Sequence, residues 1–146
     1  MARTRKEAET RSEHRSLRGS PELLERLERQ SRELSMSFNA LVLRYADEGL
    51  RRDEHPVISF RDGPGGRRPA LVGSRLDVAQ VIDTVRNSEN SISEAAEYLG
   101  ISEAQVRACV RYYAFYKDEI DELRERLHAI AEREEDAWRR EQAALA

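Results

Sequence analysis

Apolar residues recur three and four positions apart through most of this chain, the spacing of one helical face, and alternate with polar ones only in short stretches. Leu23, Leu24, Leu27 and Leu34, with charges between them, predict an amphipathic helix over 21–33. Ser20-Pro21 marks its start, a hydroxyl N-cap followed by proline at the first helical position. Leu34-Ser35-Met36-Ser37 reads as a turn with Ser37 as the next N-cap. Phe38, Leu41, Val42 and Tyr45 then form the stripe of a second helix reaching about Arg52. Ahead of both, His14-Arg15-Ser16-Leu17-Arg18 reads as a short strand, with Leu17 inward and His14, Ser16 and Arg18 outward.

A different rhythm follows His55-Pro56. Val57-Ile58-Ser59-Phe60 predicts a strand, Asp62-Gly63-Pro64-Gly65-Gly66 a turn, and Ala70-Leu71-Val72 the returning strand of a hairpin. Asp77 can cap a helix from Val78 to about Asn87. Two capping boxes come next, Ser91-Ile92-Ser93-Glu94 and Ser102-Glu103-Ala104-Gln105, with Gly100 closing the helix between them. No glycine or proline follows Gly100, so residues 103–145 are expected as one very long helix or as two with a break near Lys117-Asp118. Tyr116, Ile120, Leu123, Leu127, Ile130, Glu134 and Ala137 step by four and three in turn, a heptad spacing with one acidic interruption.

Composition narrows the class. The 146 residues are 39% hydrophobic and 36% charged, a thin core under a heavy charge, which points to a helical and oligomeric protein. No apolar run reaches the roughly 20 residues of a membrane helix, and no secretory signal opens the chain, so a cytoplasmic location and no membrane partner are expected. Cys109 is the single cysteine and the three histidines are scattered, so neither an intrachain disulfide nor a metal site is expected. The glycines at 63, 65 and 66 lack the Lys-Ser/Thr of a phosphate-binding loop, and no nucleophile, base and acid stand together. The expectation is a protein that is not an enzyme and carries no cofactor.

The net charge of −3 hides an asymmetry. Residues 1–20 hold six basic side chains against three acidic ones, and residues 118–146 hold ten acids against five arginines. A basic start and an acidic end suggest a nucleic-acid end and a different far end.

A lone five-residue strand is unstable, and two narrow-striped helices cannot bury themselves. Pairing two chains through antiparallel strands solves both problems and makes a ribbon that fits the major groove, where Arg18 can contact guanine. Backbone amides at Ser37-Phe38-Asn39 can take a phosphate, with Ser37 and Asn39 as contacts. The run Leu17-Arg18-Gly19-Ser20-Pro21-Glu22-Leu23-Leu24, followed by Ser37-Phe38-Asn39-Ala40-Leu41-Val42, resembles the ribbon-helix-helix repressors of the Arc and CopG type over residues 13–52. Ser35 stands where that family has a turn glycine. The resemblance implies an obligate dimer whose ribbon residues, here His14, Ser16 and Arg18, read bases of a double-stranded operator.

Ala96, Gly100 and Val106 have the spacing of four and six of a helix-turn-helix: a small residue at the crossing, a turn residue tolerant of positive φ, and an aliphatic seat. The second of its helices presents Ser102, Gln105, Arg107 and Arg111, beside Glu103, as a recognition surface. Glu94, Glu97 and Glu103 oppose phosphate there, so a role in protein contact stands beside DNA contact. His55-Pro56-Val57-Ile58, the Gly-Gly loop with Pro69, Val72-Gly73-Ser74-Arg75-Leu76-Asp77-Val78 and the helices from Ile92 to Arg111 resemble a small antitoxin-like domain of the VapB kind. That resemblance implies a hairpin before a three-helix, homeodomain-like bundle, and a PIN-like ribonuclease toxin as partner.

The fold expectation is therefore mainly α. A basic arm at 1–12, expected to be disordered, precedes a ribbon-helix-helix at 13–53. A hairpin plus helix-turn-helix follows at 54–117, and an amphipathic helix at 118–146. On that last helix Leu127, Ile130, Arg133, Trp138, Arg139 and Arg140 are the candidates for holding a toxin, against a plain docked helix or a dimer coiled coil. Tyr112, Tyr113, Phe115 and Tyr116 read as core and interface aromatics, and Arg67-Arg68 as a basic hairpin tip that could meet phosphate. The functional expectation is an antitoxin that represses its own operon as a dimer and neutralises a toxin. A stand-alone repressor and an adaptor dimer without DNA binding are the alternatives.

Overall fold

The computed structural model describes residues 13–146, and the arm assigned to residues 1–12 lies outside them. The described chain is mainly helical with one small antiparallel sheet. Its elements are α1 (Pro21–Glu33), α2 (Phe38–Glu54), β1 (Ile58–Arg61), β2 (Arg68–Leu71), α3 (Val78–Asn87), α4 (Ile92–Leu99), α5 (Glu103–Phe115) and α6 (Lys117–Leu145). Two compact units divide after Arg44, inside α2 and not at the end of that helix.

In the first unit, residues 13–20 have no regular structure and are exposed. The strand expected there is not formed, and Leu17, assigned inward, is 84% exposed. The physical reason is that this segment has no partner strand within its own chain. Ser20 starts α1 as expected, its Oγ accepting from Leu23 N at 3.2 Å behind Pro21. The turn to α2 places Ser35 at φ +52, the left-handed conformation that glycine adopts without cost, while Met36 N donates to Ser31 O at 2.9 Å. Ser37 caps α2, its Oγ accepting from Ala40 N at 3.1 Å.

The second unit begins with the remainder of α2, which continues to Glu54, two residues past the expected Arg52. The hairpin pairs Ile58 with Leu71 and Arg61 with Arg68. Val57 and Val72, expected in strands, lie just outside them, joined by a bond from Val72 N to Val57 O at 2.9 Å. Pro69 is tolerated because each strand of a two-stranded sheet is an edge. Asp77 N bonds the Gln80 side chain at 2.9 Å at the head of α3. Ser91 Oγ caps α4 by accepting from Glu94 N, and Gly100 ends it at φ +67.

α3, α4 and α5 each pack on the other two, and α6 packs on α3 and α5. Ile58, Leu71, Val78, Val81, Val106, Cys109 and Tyr112 are buried at the centre, and Ile120 and Leu123 of α6 are buried with them. Burying each large aliphatic side chain stabilises by about 1.5–3 kcal/mol, so the start of α6 is part of this core and not a separate segment from 118 on. Residues 103–145 form two helices. The break is at Tyr116 (φ −125, ψ 39), one residue before the expected Lys117-Asp118. It needs no glycine or proline because Tyr116 N still reaches Tyr112 O at 3.1 Å and Ile120 N still reaches Tyr116 O at 3.1 Å.

Candidate nucleic-acid and partner surfaces

The three residues assigned to base reading, His14, Ser16 and Arg18, are all exposed in the segment before α1. Among the described residues they have no ion pair of their own; the neighbouring Arg15 lies 3.6 Å from Glu13. The two phosphate candidates sit at the head of α2. Ser37 uses its hydroxyl on Ala40 N, and Asn39 is exposed within the first turn, where backbone N–H groups lack helical partners. Leu23 and Leu24 of α1 are 46% and 39% exposed beside this segment in sequence, and among the described residues of the unit only Leu41 of the apolar side chains is fully buried.

The helix-turn-helix spacing lands as follows. Ala96 is buried where α4 meets its neighbours, Gly100 takes the left-handed turn, and Val106 is fully buried under α5. Of the reading candidates on α5, Ser102 and Gln105 are committed to the cap. Gln105 Oε1 accepts from Ser102 N at 2.9 Å and Ser102 Oγ accepts from Gln105 N at 3.1 Å. Arg107 lies 3.8 Å from Glu103, an exposed pair of little strength. Arg111 is exposed one turn further on, leaving Arg107 and Arg111 as the cations of this surface.

The arginines of the hairpin tip are structural. Arg67 donates to both oxygens of Glu48 on α2, at 2.7 and 2.9 Å, and lies 3.3 Å from Asp62. The Glu48 bonds hold its guanidinium above its ordinary pKa despite the opposing effect of burial. Arg68 lies 3.1 Å from Asp77, which is 1% exposed, and Arg61 Nε donates to the same carboxylate at 2.8 Å. The reading of Arg67-Arg68 as a phosphate contact does not hold, because both cations are taken up by carboxylates. The Asp77 pairing was not foreseen; the alternation of the strands puts Arg61 directly opposite Arg68, which is the signal that brings both to one acid.

A second network joins the end of α2 to α5 and α6. Arg51 donates to Tyr112 Oη at 2.8 Å and to Glu119 at 2.9 Å, pairs with Asp47 at 3.1 Å, and stacks 4.1 Å from the Tyr116 ring centre. Its burial opposes its charge, but the Glu119 and Tyr112 bonds prevail and raise its pKa. Burial raises the Tyr112 phenol against the pull of Arg51. The buried His55 meets Tyr112, Phe115 and Tyr116 edge-on, with ring centres 5.1, 5.4 and 6.1 Å away. Burial pushes the Cys109 thiol up to about 12.

Where α6 leaves α5, Asp121 accepts from Lys117 at 2.5 Å, from Tyr113 Oη at 2.8 Å and from Arg124 at 3.0 Å. The Lys117 bond, followed by those from Tyr113 and Arg124, outweighs burial and lowers its carboxyl to about 2. Arg124 also donates to Asp83 of α3 at 2.7 Å, and His128 lies 3.0 Å from that acid. A groove of about 440 Å³ opens over this network.

The six α6 candidates separate into two groups. Leu127 and Ile130 are half-buried against the hairpin turn: a Cβ placed on Gly65 would stand 3.4 Å from Leu127 and 3.8 Å from Ile130. These two pack on the chain's own hairpin turn. Arg133, Trp138, Arg139 and Arg140 belong to a stretch, 131–146, in which every residue is exposed. No helix among the described residues is long and apolar enough to cross a membrane. Comparison with known proteins adds nothing to this picture: no family model, no curated protein and no solved structure matches the chain.

Proposed function

We propose that this chain is a DNA-binding regulator of the antitoxin type that acts as a dimer. Two copies pair the segment around Leu17 into an antiparallel ribbon, His14, Ser16 and Arg18 read an operator from its outer face, and the first turn of α2 at Ser37 and Asn39 holds a backbone phosphate. The hairpin and α3–α5 form a homeodomain-like helix-turn-helix, with Arg107 and Arg111 as its cations. The end of α6 holds a partner protein, a PIN-like ribonuclease toxin, which the regulator neutralises.

One observation carries the DNA half of this reading. Leu17 is 84% exposed in a segment without regular structure, flanked by exposed His14, Ser16 and Arg18 and followed by exposed Leu23 and Leu24. A leucine so placed is a half-built contact, and a second copy completes it while turning the polar neighbours outward together. The helix-turn-helix is supported by the burial of Ala96 and Val106 about the left-handed Gly100.

The test is a gel-shift titration of wild type and Arg18→Ala on the DNA upstream of the protein's own gene and on scrambled duplex. Loss of a bidentate guanine contact should weaken specific binding by about 1–3 kcal/mol and leave binding to scrambled duplex little changed. Unchanged affinity and unchanged preference would remove the ribbon from the reading.

A further inference from the structure

The two outer edges of the hairpin are not alike. Val72 N donates to Val57 O, and the ladder pairs Ser59 with Ala70 and Arg61 with Arg68. By that alternation the backbone groups of Ile58, Phe60 and Asp62 point away from β2. The outer edge of β2 is closed. Pro69 has no N–H, Leu71 N is taken by Leu76 O at 2.9 Å, and Ala70 bridges Asp77. α3 packs on the same strand. On the outer edge of β1, Ile58 N turns back to His55 O at 2.9 Å. Ile58 O, Phe60 N, Phe60 O and Asp62 N, however, have no hydrogen-bond partner among the described residues. Open edges are commonly guarded by a charged side chain, but the guanidinium of Arg61 is turned to Asp77 and the Arg75 carbonyl.

Those open groups are their own complement. Two copies laid antiparallel about a twofold axis at Phe60 bring each Phe60 N to the other copy's Phe60 O. The same register brings each Asp62 N to the other copy's Ile58 O, so no open group is left over. It also sets Ser59 against Arg61 and Val57 against Gly63. The only charges from 57 to 63, Arg61 and Asp62, therefore each face an uncharged residue. Phe60, half-buried in one chain, meets its counterpart as an aromatic pair directly across the strands. We propose that β1 pairs with β1 of a second copy, so that two hairpins make one continuous antiparallel sheet. This contact goes beyond the reading above and does not rest on it, because it joins copies through the second unit whether or not the ribbon forms.

The register supplies the test. Ser59 in the two copies would lie about 8 Å apart, two residues along and one strand across. A spin label on full-length Ser59→Cys, with the native Cys109 buried, reads that distance. Dipolar broadening is expected to grow with concentration and to vanish when excess unlabelled wild type is added. It should persist when Leu17→Asp is added to break the ribbon. Asp62→Pro removes an outward N–H that bonds nothing in its own chain, and should weaken the pairing about tenfold. Asp62→Ala keeps that N–H and should differ from the parent by less than about twofold. A sharp spectrum at every concentration would overturn the proposal and give the edge to an unlike strand or to solvent, whether or not the proline variant folds. Loss of broadening in Leu17→Asp, or equal losses in Asp62→Ala and Asp62→Pro, would overturn it as well.

Discussion

Asp121 shows how one side chain can set the direction of a helix. It takes bonds from Lys117 on its own helix, from Tyr113 on α5 and from Arg124, which in turn holds Asp83 on α3. Its carboxyl titrates near 2 in place of the ordinary 3.8, so the folded state binds the proton more weakly than the unfolded one. A depressed acid of this kind stabilises above its unfolded pKa and loses that contribution as pH falls through its folded pKa. Asp121→Asn should therefore be less stable than wild type at pH 7 by about 1 kcal/mol, after allowance for solvent screening. The gap should close between about pH 4 and pH 2, as followed by urea unfolding across a pH series. None of these partners was legible in the sequence. Lys117 and Asp121 are four apart, a pairing any helix permits, but Asp83 and Tyr113 reach the site only through the packing of three helices.

Elements were legible wherever local chemistry decides them. Ser20-Pro21, the Ser91 and Ser102 caps, Gly100 and the Asp62–Gly66 turn each mark a boundary through hydrogen bonds or dihedrals made within four or five residues, and the structure has those boundaries. The observed strands lie one or two residues from the expected ends, because the ladder begins where the partner strand allows and not where the apolar run begins. The α5–α6 break was legible only as a region. Its position depends on Tyr116 packing 4.6 Å from the Tyr112 ring and under Arg51, the second a contact distant in sequence. Gly100 offers a test at this scale. Its φ is +67 and open space surrounds it, so a methyl group there meets no atom and the whole effect of Gly100→Ala is backbone strain. The expected loss is about 1–2 kcal/mol, read as a lower urea midpoint with unchanged slope and unchanged far-ultraviolet spectrum.

Across the whole molecule, the two ends of α6 answer to different demands, and periodicity could not tell them apart. The heptad spacing runs from Tyr116 to Ala137 with one acidic interruption at Glu134, yet Ile120 and Leu123 are core, Leu127 and Ile130 seal the hairpin turn, and everything from Ala131 on is exposed. That Leu127 and Ile130 meet the hairpin turn is not legible in the sequence, because an apolar residue on a stripe carries no mark of what it will face. A truncation pair separates fold from function along this helix. A chain ending at Ala131 keeps every buried side chain, so its melting temperature should stay within a few degrees of wild type and its transition should stay cooperative. A chain ending at Lys117 removes Ile120 and Leu123 together. Each such loss costs about 2–5 kcal/mol against a total stability of about 5–15 kcal/mol, so that chain should show a broad, early transition by circular dichroism. If the end of α6 serves a partner, the chain ending at Ala131 should still shift operator DNA but no longer neutralise the toxin in cells. A truncated chain that folds, binds DNA and still neutralises would place the partner surface elsewhere on the molecule.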